Sequence, residues 1–255
     1  MLGNQLVSYL LLAHVPGESL RDLLKKHPQL WIDHIGWITV EIASALALLH
    51  GAHHVHLALG PEAVLVDFAG DQAVPKVTLI DLGLAATLRA TTDDRTYVEH
   101  WYPEVAHPNA TAPELENPRP VGDGNGVAAS TATDVYGLGL VLYELLAGTP
   151  PFPRPFIAQN ALNSQSNART PLPLRRKDVQ PVADLALQML HLNPKQRPAD
   201  ARAVVTTITG TEIGSPPAIR TRRWPTPERI FRVAVIVLTL AFTIAVVLSF
   251  GEFFV

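Results

Sequence analysis

The stretch His56 to Val66, HLALGPEAVLV, has the length, the Pro-Glu pair and the apolar tail of a catalytic loop feeding a strand. Such a loop needs a side chain that can move a proton and an oxygen that can hold a metal. Leu57, Ala58, Leu59 and Gly60 offer neither, and Ala63 ends the loop without a ligand. Other chemical groups lie nearby in sequence. His50, His53, His54 and His56 form a dense cluster, which could hold zinc or could equally be helix-end and loop histidines with local partners. Thr91 and Thr92, in RATTDDRTY, lie in a stretch that by itself reads as a solvated loop. The chain has no cysteine, which excludes disulfides, Cys-ligated zinc, iron–sulfur clusters and thiol catalysis.

The elements that must position these groups follow from hydrophobic periodicity. Leu6 to Val15 reads as a short strand ended by a turn at Pro16-Gly17. Ser19 starts a short helix with Leu20, Leu23 and Leu24 on one face. Ile35, Ile38, Ile42, Leu46 and Leu49 recur at three- and four-residue steps and predict a longer helix over 33–50. The runs 63–66 and 76–80 read as a β-hairpin with Gly70-Asp71 in its turn. The run 134–148, DVYGLGLVLYELLAG, is apolar on nearly all sides yet too short to span a bilayer. It predicts a buried helix stopped by Gly148 and the following prolines. Residues 153–180 read as a surface loop, and two further helices are expected over 181–191 and 199–208. There is no internal repeat.

The 255 residues suffice for one large domain or two small ones. A net charge of −3 and the lack of a basic stripe argue against nucleic acid as a partner. The mean hydropathy of +0.17 is high for a soluble chain and directs attention to membrane segments. Val233 to Phe250 carries no charge. At about 1.5 Å per residue it covers roughly 27 Å, close to the thickness of a bilayer core. Arg220, Arg222, Arg223, Arg229 and Arg232 precede it and only Glu252 follows. The expectation is a single-pass protein of the cell membrane: a cytoplasmic domain at 1–210, a juxtamembrane linker at 211–229, a transmembrane helix at 230–250 and an external tail at 251–255. The N-terminal apolar run lacks a basic start and a cleavage site, which argues against a signal peptide.

The order of short motifs carries more information than any one of them. HLALGPEA is followed by DLG at 81–83, APE at 112–114, DVYGLGLVLYELLAGTPPF from 134 and NPKQRPADA from 193. In this order they resemble the C-terminal lobe of a eukaryotic-type (Hanks-type) Ser/Thr protein kinase, most closely the bacterial membrane-anchored group. The resemblance covers residues 6 to 208. It implies a mainly α fold (α+β), with a small β-hairpin and, in this chain, the added transmembrane helix. The family's loop reads H-R-D-L-K-P-E-N. His56 stands at its histidine, Leu57 at its arginine, Ala58 at its catalytic base, Gly60 at its lysine and Ala63 at its metal-binding asparagine. Alanine cannot accept a proton or coordinate a metal, and glycine cannot neutralise a phosphoryl group. Asp81 matches the family's other metal-binding carboxylate. Glu114 and Arg197 match a buried ion pair. Asp134 matches the aspartate that holds the loop backbone, and is also compatible with an ordinary N-cap. The chain starts where the family has its hinge strand, YLLLAHVPGESLRDLL, and contains no GxGxxG. The ATP-covering N-lobe is therefore expected to be missing, unless the true start lies upstream of Met1.

These substitutions lead to the expectation of a membrane-anchored pseudokinase that is not an enzyme and acts as a protein-interaction or regulatory scaffold. No cofactor is expected, since neither ATP nor Mg2+ would have a complete site. The expected partner is a protein, either an active kinase or a subunit covering the face that the N-lobe would cover. The rival readings are an atypical Ser/Thr kinase, an ATP-binding module, and a truncated fragment without function.

Overall fold

The computed structural model describes residues 13–68, 74–82, 85–88, 111–116, 129–152, 171–174 and 176–216. The chain divides into the units Met1–Ala218 and Ile219–Val255, and every described residue belongs to the first. The transmembrane helix expected over 230–250, most of the strand expected at 6–15 and the Gly70-Asp71 turn lie outside the described residues.

The described part is helix-rich with two small sheets. In chain order it contains β1 (Glu18–Ser19), α1 (Leu20–Lys26), α2 (Ile32–Gly51), β2 (His54–Val55), β3 (Val64–Asp67), β4 (Lys76–Leu79), β5 (Ala86–Thr87), α3 (Pro113–Glu116), α4 (Thr131–Ala147), α5 (Gln180–Met189) and α6 (Ala201–Thr209). Local chemistry sets most boundaries. The Ser19 side chain accepts from the Asp22 amide at the start of α1, and Asp200 does the same for Ala203 at the start of α6. Ser130 and Thr133 form a reciprocal capping box at α4. That box starts α4 three residues earlier than the apolar run suggests. Gly148 ends it in the left-handed conformation, φ 71°, which glycine adopts without penalty.

Helix α2 buries one face completely, through Ile35, Ile38, Ile42 and Leu46. Each such side chain contributes about 1.5–3 kcal/mol relative to exposure. It packs against α4, α6 and the 3-10 turn Glu212–Gly214, whose Ile213 is buried, so the packed unit continues past residue 210. Among the described residues, α2 alone has the length and apolarity to cross a membrane. The packing of that face makes it the central helix of this unit. Helix α4 packs against α2 and α5, and its residues from Ala132 to Leu146 are buried on every side. Polar groups in such a helix need partners, because an unpaired buried polar atom is costly. Thr133, Asp134 and Glu144 all have them, and these partners build the site described below.

One sheet has the order β1-β3-β4, all antiparallel, with Glu18 opposite Val66 and Val64 opposite Leu79. The expected hairpin is its β3–β4 half. The two-residue β1 has no periodicity to announce it, and Ser19 serves both as its last residue and as the cap of α1. The second sheet pairs β2 with β5, Val55 opposite Ala86.

Candidate functional site

The loop from His56 to Ala63 hangs on a single carboxylate. Asp134, fully inside the first turns of α4, accepts from the backbone N–H of His56 at 2.8 Å and of Leu57 at 2.9 Å. The His50 Nε2 approaches it to 2.9 Å. Asp134 lies past the N-cap, a position occupied by Ser130, so its side chain serves the loop rather than its own helix end. His56 is buried and reaches across to the Ile80 carbonyl with Nε2 at 2.8 Å, while its Nδ1 accepts from the Ala58 amide at 3.3 Å. Those two partners fix the neutral tautomer with its proton on Nε2. Behind the loop, α4 presents Gly137. A Cβ there would fall 2.7 Å from the Leu59 carbonyl oxygen, so only glycine lets the loop lie this close.

The loop then passes through a 3-10 turn, Pro61–Ala63, into β3, and Ile80 donates back to the Ala63 carbonyl at 2.9 Å. This brings Ala58, Gly60, Ala63 and Asp81 into one region. Ala63 is buried and Gly60 is buried. Asp81 is exposed, with φ 62°, which turns the chain sharply after β4. An alanine at 58 supplies no base, and Asp81 is one carboxylate where a hard cation wants several oxygens. Among the described residues no group of three or more histidines and carboxylates is arranged to hold a metal ion. The clustered histidines have other partners: His50 and His56 as above, and His54 Nδ1 with the Ala52 carbonyl at 2.8 Å.

Glu114, in α3, and Arg197, after the turn Pro194–Gln196, form a bidentate pair at 2.8 and 2.9 Å, with side chains 2% and 0% exposed. The guanidinium uses its remaining capacity on the carbonyls of Ala132 (2.8 Å), His191 (2.7 Å) and Leu192 (3.2 Å). It also lies 4.8 Å from the ring centre of Tyr136, whose hydroxyl pKa is pushed up by burial. Thr133 donates to the same Glu114 carboxylate at 3.0 Å. Charges this deeply buried are tolerated because every polar atom of the guanidinium is satisfied.

A second ionic group was not foreseen from the sequence. Arg21 of α1 bridges Glu62 in the loop, at 2.8 Å, and Glu144 in α4. Burial pushes the Glu144 pKa up, and Arg21 partly offsets this. For Arg21 itself, burial works downward, but the two carboxylates outweigh it and raise its pKa. The signal in the sequence is Glu144: a carboxylate inside the apolar stretch that follows Tyr136 in α4 needs a partner facing it. Nothing in the sequence says which cation, since Arg21 is 123 residues away.

Leu57 is 3% exposed and has φ 68°, a conformation leucine rarely adopts. With Val55 and Leu115 it forms a small apolar cluster separate from the main core, against which Ala86, Leu88 and Ala129 pack.

Residues 2–207 match the family model of the protein kinase domain. A serine/threonine protein kinase of Aspergillus fumigatus is 32% identical over 192 residues, 74% of this chain and 26% of that protein. A probable serine/threonine-protein kinase of Clostridium perfringens is 25% identical over 200 residues, 78% of this chain and 27% of that protein. A serine/threonine-protein kinase of Bacillus subtilis is 27% identical over 146 residues, 57% of this chain and 20% of that protein. The chain thus spans roughly a quarter of the length of these relatives. The expectation that the chain is not an enzyme is overturned by these matches, which point to an active-type protein kinase. That expectation gave three side chains, at 58, 60 and 63, more weight than about two hundred residues of matching domain. Side-chain identity states what those atoms cannot do; it does not state that no other group does it.

Proposed function

Because this chain belongs to the protein kinase domain family, we propose that it is an atypical Ser/Thr kinase-type module, anchored to the cell membrane by residues 230–250, which regulates a protein partner through the face around residues 56–63. The observation that carries this reading is the Asp134 clamp on His56 and Leu57. Two backbone donors, a histidine and a buried carboxylate hold a loop whose own side chains at 58, 60 and 63 are small. A loop held this firmly keeps its shape as a recognition surface whatever its side chains do in chemistry. The arginines before the apolar run would lie against anionic headgroups and keep the domain near its partner.

The same reading includes phosphoryl transfer by this chain itself to a protein Ser or Thr hydroxyl. The family match and the retained carboxylate of Asp81 favour it. The proton of the attacking hydroxyl would then go to a base other than residue 58, and a nucleotide's phosphate oxygens would complete the cation's shell beside Asp81.

One experiment separates them. The full chain is placed in vesicles containing anionic lipid, with a Ser/Thr kinase from the same membrane, radiolabelled ATP and Mg2+. Under the scaffold reading the partner's labelling of substrate changes several-fold on addition of the chain. Asp81→Asn retains that effect and Arg197→Ala loses it. Labelling of substrate by the chain alone, abolished by Asp81→Asn, is the outcome expected of the transfer chemistry, and no labelling by the chain alone would overturn it.

A further inference from the structure

The small apolar cluster around Leu57 joins three pieces that are far apart in sequence. Val55 belongs to β2, Ala86 and Leu88 to the strand after Asp81 and its exit, and Leu115 to α3. At the first end, β2 and β5 add a ladder pair, and Leu88 donates to the His53 carbonyl at 2.7 Å. At the other end, α3 enters this cluster through Leu115. One member of the cluster, Leu57, is a leucine in the left-handed region, among only three non-glycine residues with positive φ in the described chain. A strained backbone persists only where its surroundings over-determine it. Here the Asp134 carboxylate holds the Leu57 amide from one side, and the cluster buries its side chain on the other.

We propose that the Leu57 side chain fastens residues 85–88 and 111–116 onto the loop, so that these two stretches are held by apolar packing and not by an added phosphate. This rests on the reading of residues 56–63 as the loop of a kinase-type site. An isobutyl side chain cannot bind a phosphate, whereas it can exclude water from a contact with Leu115 and Leu88. Because the cluster is separate from the main core, loosening it releases these stretches without unravelling the helices.

Amide hydrogen exchange on the full chain in detergent tests this without any need for catalytic activity. Leu57→Ala is expected to raise exchange at least tenfold in peptides covering 85–88 and 111–116, with α2 and α4 unchanged. Leu57→Gly should do the same, although glycine suits the backbone there. Thr91→Glu with Thr92→Glu should leave both stretches as in the parent chain. Unchanged protection in Leu57→Ala overturns the proposal. So does greater protection in Leu57→Gly than in the parent, or a change from the glutamates as large as that from Leu57→Ala. If Leu57→Ala unfolds the whole chain, Leu115→Ala decides: faster exchange confined to 111–116 supports the fastening, and none refutes it. A failure of the kinase-type reading would show in the labelling experiment and would leave these exchange rates untouched.

Discussion

Two of the ionic groups among the described residues, those of Arg197 and Arg21, use the same chemistry to opposite ends. Arg197 and Glu114 are one cation and one anion, both sealed from water, with the guanidinium's donors spent on a carboxylate and three carbonyls. Arg21 faces two carboxylates, Glu62 and Glu144, and the group reaches the surface, with the Glu62 side chain 38% exposed. The first is balanced in charge and in hydrogen bonds; the second carries an excess negative charge that titration can relieve. The first is therefore expected to fix geometry, and the second to contribute a stability that varies with pH.

The sharpest way to break this contrast is to truncate both cations. Arg197→Ala strands a buried glutamate and several carbonyls, and the expected loss is about 3–5 kcal/mol, visible as a large fall in urea midpoint. A loss below about 1 kcal/mol would mean that water reaches Glu114 and the pair is not sealed.

Arg21→Met should cost less and depend on pH. The folded pKa of Glu144 is raised by burial, so between its unfolded and folded values the native state binds more protons than the unfolded one. Stability contributed by this group is then full below the ordinary glutamate range and falls as pH rises through the folded value. Removing Arg21 raises that value further and widens the window upward. The expected cost is about 1–3 kcal/mol at pH 8 and less near pH 5, read from melting curves at both. An equal cost at both pH values would place the effect in packing of the arginine stem.

The smallest effect is expected from Ala58→Asp. This residue is only half-buried and serves the loop through its backbone amide. A change within about 0.5 kcal/mol would separate the loop's mechanical support from its side-chain chemistry. A larger loss would mean that the small side chain at 58 is part of the packing.

The helices were readable because their signals are local. Leucines spaced three and four apart mark α1, isoleucines and leucines at the same steps mark α2, the apolar run marks α4, and Gly148 its end. The two-residue strands β1, β2 and β5 were not readable, since a pair of extended residues has no period and exists only through its partner. In the candidate site, the residues by themselves point to the loop, and Asp81 enters through the family resemblance. The roles given to Glu114, Asp134 and Arg197 came from the family resemblance, because no spacing rule links residues 83 positions apart. The Arg21 group and the cluster around Leu57 escaped both approaches. At Leu57 the sequence shows only that an arginine is replaced; what the leucine buries depends on residues as far along the chain as Ala86 and Leu115.

The sequence alone determined the helical periodicities, the caps and the identities of the small side chains at 58, 60 and 63, all properties of a residue and its near neighbours. The tertiary structure decided which carboxylate meets which cation, which way Asp134 points, and what Leu57 packs on. Those depend on chain closure over 41 to 123 residues, where many pairings satisfy the same charge and hydrophobicity and only the packed fold selects one.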